Sequence, residues 1–158
     1  MPEEQQQNFL DNYTYHTPYS IDVFRFNNPE DIEQYMNRFR KLPEKINFLV
    51  FDFSSAEFIQ DVLVPTFNLS PRQGEDVTKI IRDVLLCYIF VVDMAKEVQN
   101  RLSVNSDIAD NIASLIISKL FAPAIEDIKK EQAAAFPNRI KTGQQTPDEG
   151  TRPTVNQR

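Results

Sequence analysis

Apolar residues recur along this chain at spacings of three and four, and proline, far more than glycine, interrupts them. Only Gly74 of the three glycines lies between residues 8 and 136, so the prolines and the polar residues before them mark the boundaries. Asn28-Pro29 followed by Glu30 and Asp31 reads as an N-cap, a proline at the first helical position and acids in the positive first turn. Ile32, Tyr35, Met36 and Phe39 give that helix one apolar face, and Pro43 closes it. Residues 44–53 (EKINFLVFDF) are a short apolar run between breakers, which fits a strand or a buried helix; helix is the preferred reading. Ser54 with Glu57 has the pattern of a capping box and predicts a short helix carrying Phe58, Ile59, Val62 and Leu63 as far as Pro65. Ser70-Pro71 with Gln73 repeats the device and is the best-marked start in the chain.

From Val77 to Leu102 the apolar spacing continues for some twenty-five residues, but Leu86, Ile89 and Phe90 also cover the opposite side between residues 84 and 92. Three readings stay open for this stretch: a central buried helix, a kink near Tyr88, or a far side that meets a partner. Asn105 or Ser106 caps a further helix with Ile108, Ile112, Leu115, Ile116 and Leu120, and Pro123 is expected to kink it or restart it. The pairs Leu69-Ser70 and Leu102-Ser103 both read as helix-start chemistry rather than as an internal repeat. The fold is expected to end near Ala135, followed by a tail too poor in apolar surface to offset the entropy of ordering.

The expected organisation is therefore a disordered segment 1–7, one helical domain over 8–136 and a disordered tail over 137–158. The fold class is all-α, a small bundle of about five to six helices. Twelve of the seventeen aromatic residues fall between Phe9 and Phe58. Within that region Tyr13, Tyr15, Tyr19, Phe24 and Phe26 are the candidate interaction surface, on a segment whose run YSIDVFRF reads as an extended stretch laid over the helices or as one short strand. They suit either covering the core or contacting another protein, since tyrosine is at home where one edge is dry and the other wet.

Composition narrows the chemistry. The net charge is −6, and residues 1–60 hold ten acids against five bases, so a phosphate backbone would be repelled and nucleic acid is not an expected partner. One cysteine, Cys87, permits no intramolecular disulfide, and in VLLCYIFVV it reads as a small buried residue. One histidine, His16, with that cysteine is too few for a zinc site. Neither GxxxxGK[ST] nor GxGxxG occurs, which excludes phosphate cradles of those kinds. Asn105, Asp107 and Asp110 lack the glycine and glutamate of a calcium loop and are better explained by helix capping. The acidic, polar start MPEEQQQN is unlike a signal peptide, and the longest apolar run is about half a bilayer span, so a cytoplasmic protein without a membrane span is expected. No catalytic, cofactor or metal residues are assigned.

From Leu42 the order LPEKINFLVFDFSSAEFIQDVLVPTFNLSPRQGEDVTKIIRDVLLCYIF, and then LSVNSDIADNIASLIISKLFAPAIEDI, resembles an uncharacterised helical module of reduced-genome candidate-phylum bacteria. The shared features over residues 42–128 are a leading Leu-Pro, a serine before a short helix with Phe-Ile, a Leu-Ser start and a closing Leu-Phe-x-Pro. The resemblance implies a small helical bundle with a flexible tail and brings no catalytic residues. Such modules have glycine after the helix ending VLL, where this chain has Cys87-Tyr88. The function expected is a non-enzymatic interaction or scaffold module that meets a protein partner or a second copy of itself. The alternative is a helical regulatory domain holding an apolar small molecule around Tyr88, Phe90 and Phe121.

Overall fold

The computed structural model describes residues 14–23 and 25–144, which form nine helices and contain no strand. In chain order α1 is Ser20–Val23, α2 Pro29–Arg40 and α3 Glu44–Phe51, and α4 spans 53–67. Then come α5 Pro71–Leu85, α6 Met94–Leu102, α7 over 106–120, α8 Ile125–Ala135 and α9 Pro137–Gln144. The expected bundle is present in more and shorter pieces, because special turns divide what the periodicity joins.

Two of the expected caps form as read. The Asn28 side chain accepts from the Asp31 amide at 2.8 Å, and Pro29 opens α2. At α5 the capping box is complete: the Gln73 amide donates to Ser70 Oγ at 3.1 Å, and the Ser70 amide donates to Gln73 Oε1 at 2.8 Å. Each side chain satisfies an amide that the first helical turn leaves without a carbonyl. Asn105 caps α7 through the Ile108 amide at 2.8 Å.

Other expectations are corrected. The cap of α4 is Asp52, whose carboxylate accepts from the Ser54 amide at 2.9 Å, and not Ser54. Pro65 does not stop that helix: the stretch Phe58–Leu63 widens to a π turn, and the Val64 amide reaches back five residues to the Ile59 carbonyl. A wider turn relieves the clash between a proline ring and the carbonyl four residues earlier, so the helix continues to Phe67. It ends on Asn68, in the left-handed region at φ 52°, with the Leu69 amide on the Val64 carbonyl at 2.9 Å. The second Leu-Ser pair closes a helix instead of opening one, since Ser103 ends α6 at φ 55°. At Pro123 a π turn Ile116–Leu120 and a 3₁₀ turn Ala122–Ala124 bend the chain by 62° between α7 and α8.

The long apolar stretch is broken, as the kinked reading requires. α5 ends at Leu85, and Cys87 takes φ 60°. The Tyr88 amide donates to the Asp83 carbonyl at 2.7 Å and the Cys87 amide to the Val84 carbonyl at 3.0 Å. This pair of bonds defines a Schellman motif, in which the left-handed residue is most often glycine. After the turn Ile89 and Phe90 point into the fold while Tyr88 and Val92 face out, so apolar residues on both sides of the pattern belong to a loop.

The core is built on α5, where Val77, Ile80, Ile81, Val84 and Leu85 are buried. Around it lie Phe39 of α2, Ile46, Leu49 and Val50 of α3, Val98 of α6, Ile112 of α7, Phe121, and Ile128 of α8. Gly74 allows α5 to approach α4, since a Cβ there would stand 3.2 Å from Val64 Cγ2 and 3.3 Å from Gln60 Nε2. Gln132 is fully buried on α8 and binds the α5–α6 loop. Its amide nitrogen donates to the carbonyls of Val84 (2.9 Å) and Ile89 (3.1 Å), and its oxygen accepts from the Val91 amide at 2.8 Å.

The chain does not leave the fold at Pro137, where the tail was expected to begin. α9 follows at once, held where Arg139 grips both carboxylate oxygens of Asp93, at 2.6 and 2.8 Å, and lies 4.7 Å from the centre of the Phe90 ring. The expected disordered segment 1–7 and the remainder of the expected tail, 145–158, lie outside the described residues.

Candidate interaction surface

The aromatic residues singled out from the sequence divide into three groups. Tyr13 and Phe24 lie outside the described residues. Tyr19 and Phe26 turn inward. Tyr19 packs between Tyr35 (centroids 5.4 Å apart), Phe39 (5.6 Å) and Phe51 (4.8 Å), and its amide donates to the Val50 carbonyl at 3.2 Å. Phe26 lies 4.9 Å from Tyr35, whose hydroxyl donates to the Tyr19 carbonyl at 3.0 Å. Burial pushes the Tyr35 phenol pKa far above its ordinary value, so this buried hydroxyl stays protonated and keeps donating. These residues attach the leading segment to α2 and α3, the covering role that the residue types allowed.

Tyr15 is the bridge to a different surface. Its ring stacks on Phe53 at 5.6 Å, and its hydroxyl donates to Asp61 Oδ1 at 2.7 Å, which raises the phenol pKa. Phe53 stands at a corner where α3 passes through Asp52 into α4. The surface there is apolar: Phe48 is 58% exposed, Phe51 40% and Phe53 49%. Phe48 and Phe51 lie outside because α3 spends its opposite side, Ile46, Leu49 and Val50, on the core. With EKINFLVF apolar on nearly every side, no rotation of α3 can bury all of it.

Four acids and one exposed base, Lys45, lie on the elements that form the corner. Glu44 opens α3, Asp52 joins the two helices, and Glu57 and Asp61 lie on the first turns of α4. Two hydrogen bonds from Ser54 lower the Asp52 pKa, so this carboxylate stays charged beside the rings. The sequence marked Phe48, Phe51 and Phe53 only as members of an ambiguous run. An all-round apolar helix of eight residues at the edge of a small fold was the available signal.

The three residues proposed to hold an apolar ligand do not come together. Phe121 is fully buried among core residues, Phe90 lies against Phe136 at 5.3 Å, and Tyr88 projects outward, where its hydroxyl accepts from Arg38 at 3.1 Å. Among the described residues no group of three or more His, Cys, Asp or Glu side chains is placed to hold a metal ion. Among the described residues no single helix is long and apolar enough to cross a membrane. The bent pair over 106–120 and 122–135 has that composition, but it buries Ile112, Ile116, Leu120 and Ile128 within the fold. The chain matches no protein-family model, no curated protein and no solved structure.

Proposed function

We propose that this chain is a non-enzymatic interaction module that docks another protein on the Phe48, Phe51 and Phe53 corner, in a cytoplasmic setting. The observation that carries the reading is three partly exposed phenylalanines at one corner, two of them on a helix whose other side is committed to the core. Their uncovered area is roughly 300 Å², worth about 7 kcal/mol at about 25 cal/mol per Å². Association itself costs about 4 to 15 kcal/mol, so the rings would anchor a contact and leave the rest to neighbouring groups. Acids outnumber Lys45 four to one among the charged neighbours, which favours an apolar partner surface flanked by lysine or arginine.

A photocrosslinking amino acid at position 48, with Lys130 on the exposed side of α8 as the control site, tests this in cells. A discrete crosslinked species from position 48 is expected, absent from position 130 and lost when Phe51→Ser and Phe53→Ser are added. If position 48 crosslinks no more than position 130, the reading fails. A crosslink between two copies, with a dimer by light scattering, would replace the heterologous partner with the chain itself.

A further inference from the structure

On the far side of α2 lies a groove of about 210 Å³, lined by Phe26, Asp31, Gln34, Tyr35 and Arg38. The four helix residues stand at steps of three, one and three and so share one face of α2. Its floor is firm. Tyr35 is buried, tied by its hydroxyl to the Tyr19 carbonyl, and packed at 4.9 Å against Phe26. Its ends carry opposite charge. Arg38 is at one end, and at the other is Asp31, whose carboxylate is held by the Asn28 side-chain amide at 2.9 Å.

Arg38 differs from the paired arginines of the fold. Arg25, Arg40, Arg82, Arg101 and Arg139 each hold a carboxylate. Arg38 instead donates to a neutral acceptor, the Tyr88 hydroxyl, at 3.1 Å. Tyr88 is itself positioned by the left-handed turn at Cys87. The guanidinium is therefore oriented and keeps donors to spare, which suits a planar, bidentate anion such as a carboxylate.

The spacing of the two charges decides the size of the occupant. Seven residues along a helix span about 10 Å. A single amino acid holds its ammonium and carboxylate too close together to meet both ends, whereas about three residues of extended chain cover that distance. We propose that this groove binds the carboxyl-terminal end of a polypeptide. Its terminal carboxylate pairs with Arg38, its last apolar side chains lie on Phe26 and Tyr35, and a basic group about three residues upstream faces Asp31. The site shares with the aromatic corner only the expectation of a protein partner. Its test reads the groove alone, so either reading can fail without the other.

The probe is a fluorescein-labelled hexapeptide ending Lys-Gly-Phe-Leu with a free carboxyl terminus, titrated against the full chain by fluorescence polarisation. Saturable binding is expected, at least tenfold weaker for the same peptide ending in an amide and for Arg38→Gln. Arg38→Lys, which keeps the charge and loses the planar fork, should fall between. Far-UV circular dichroism verifies that both variants, changed at an exposed position, remain folded. Equal binding of acid and amide, an unchanged affinity in Arg38→Gln, or no binding of the acid peptide at millimolar protein would each overturn the proposal. Displacement by free phenylalanine as effective as by the unlabelled hexapeptide would also overturn it, since the groove would then be a small-molecule site.

Discussion

A cysteine at φ 60° occupies a conformation in which a Cβ crowds the backbone, at a cost of about 1 to 2 kcal/mol relative to glycine. Cys87 is half-buried, and burial raises its thiol pKa, so it stands there as a neutral group against Gln132. Cys87→Gly is therefore expected to stabilise the fold by about 1 kcal/mol once the lost thiol packing is subtracted, read as a higher urea midpoint. Cys87→Val should lower it, because a branched side chain tolerates this region least. Gln132 poses the opposite case. Gln132→Leu keeps the volume but leaves the Ile89 carbonyl and the Val91 amide without partners, at about 1 to 3 kcal/mol each, and takes one of its two donors from the Val84 carbonyl. A loss of at least about 2 kcal/mol is expected by chemical denaturation, with faster hydrogen exchange concentrated at Leu86 to Val91. Neither residue announced its role. A lone cysteine in VLLCYIFVV and a glutamine among alanines carry no local signal for a turn that is completed from 45 residues away.

At the level of the elements, the starts were legible and the ends were not. Asn28, Ser70 and Asn105 reach amides within three residues, so the sequence alone contains both partners of each cap. The end of α5, the passage through Pro65 and the bend before α8 depend on bonds to carbonyls five residues back, for which no residue type is diagnostic. Helix α9 was hidden for another reason. PNRIKTGQ has little apolar surface, and its anchoring includes an arginine shared between Asp93 and the Phe90 ring. The grip of Arg139 lowers the Asp93 pKa below its ordinary value. A carboxylate depressed in the folded state contributes stability above its unfolded pKa of about 3.9, and that contribution disappears as pH falls through the folded value. Amide protection across α9 should accordingly hold level from neutral pH to about 5 and fall below about 4. In Asp93→Asn it should be low throughout and lose that pH dependence. Because both side chains are partly exposed, 1 M salt should weaken the anchoring as well.

Over the whole molecule, the all-helical class and most of the core were written in the spacing of apolar positions. Phe39, Ile80, Ile81, Val84, Ile112 and Ile116 are buried where the three and four steps place them. Periodicity failed where one segment had more apolar surface than one face could hide. On α3 the surplus is Phe48 and Phe51, left outside, and after α5 it is Ile89 and Phe90, folded in by a turn. A sequence pattern records that surface must be covered, not whether the cover comes from the same chain. The aromatic corner thus became visible only once α3 had spent its other side. Replacing Phe48 and Phe51 with serine should leave the melting temperature within a few degrees, as expected for exposed positions, although Phe51 also touches Tyr19 and Phe39. Phe121→Ala in the filled core should cost about 3 to 5 kcal/mol.

The bond between Gln132 and the loop after α5 also sets an order of events during synthesis. The Ile89 carbonyl and Val91 amide it satisfies are made more than forty residues earlier, and until α8 leaves the ribosome they have only water. A nascent chain that already displays α5, α6 and α7 therefore carries an unlocked corner, with Ile89 and Phe90 free to move out. Helix α8 acts as a clasp for the elements made before it, so a chain stopped at Ala124 should keep the helix content of α1 to α7 while the corner exchanges its amide protons freely.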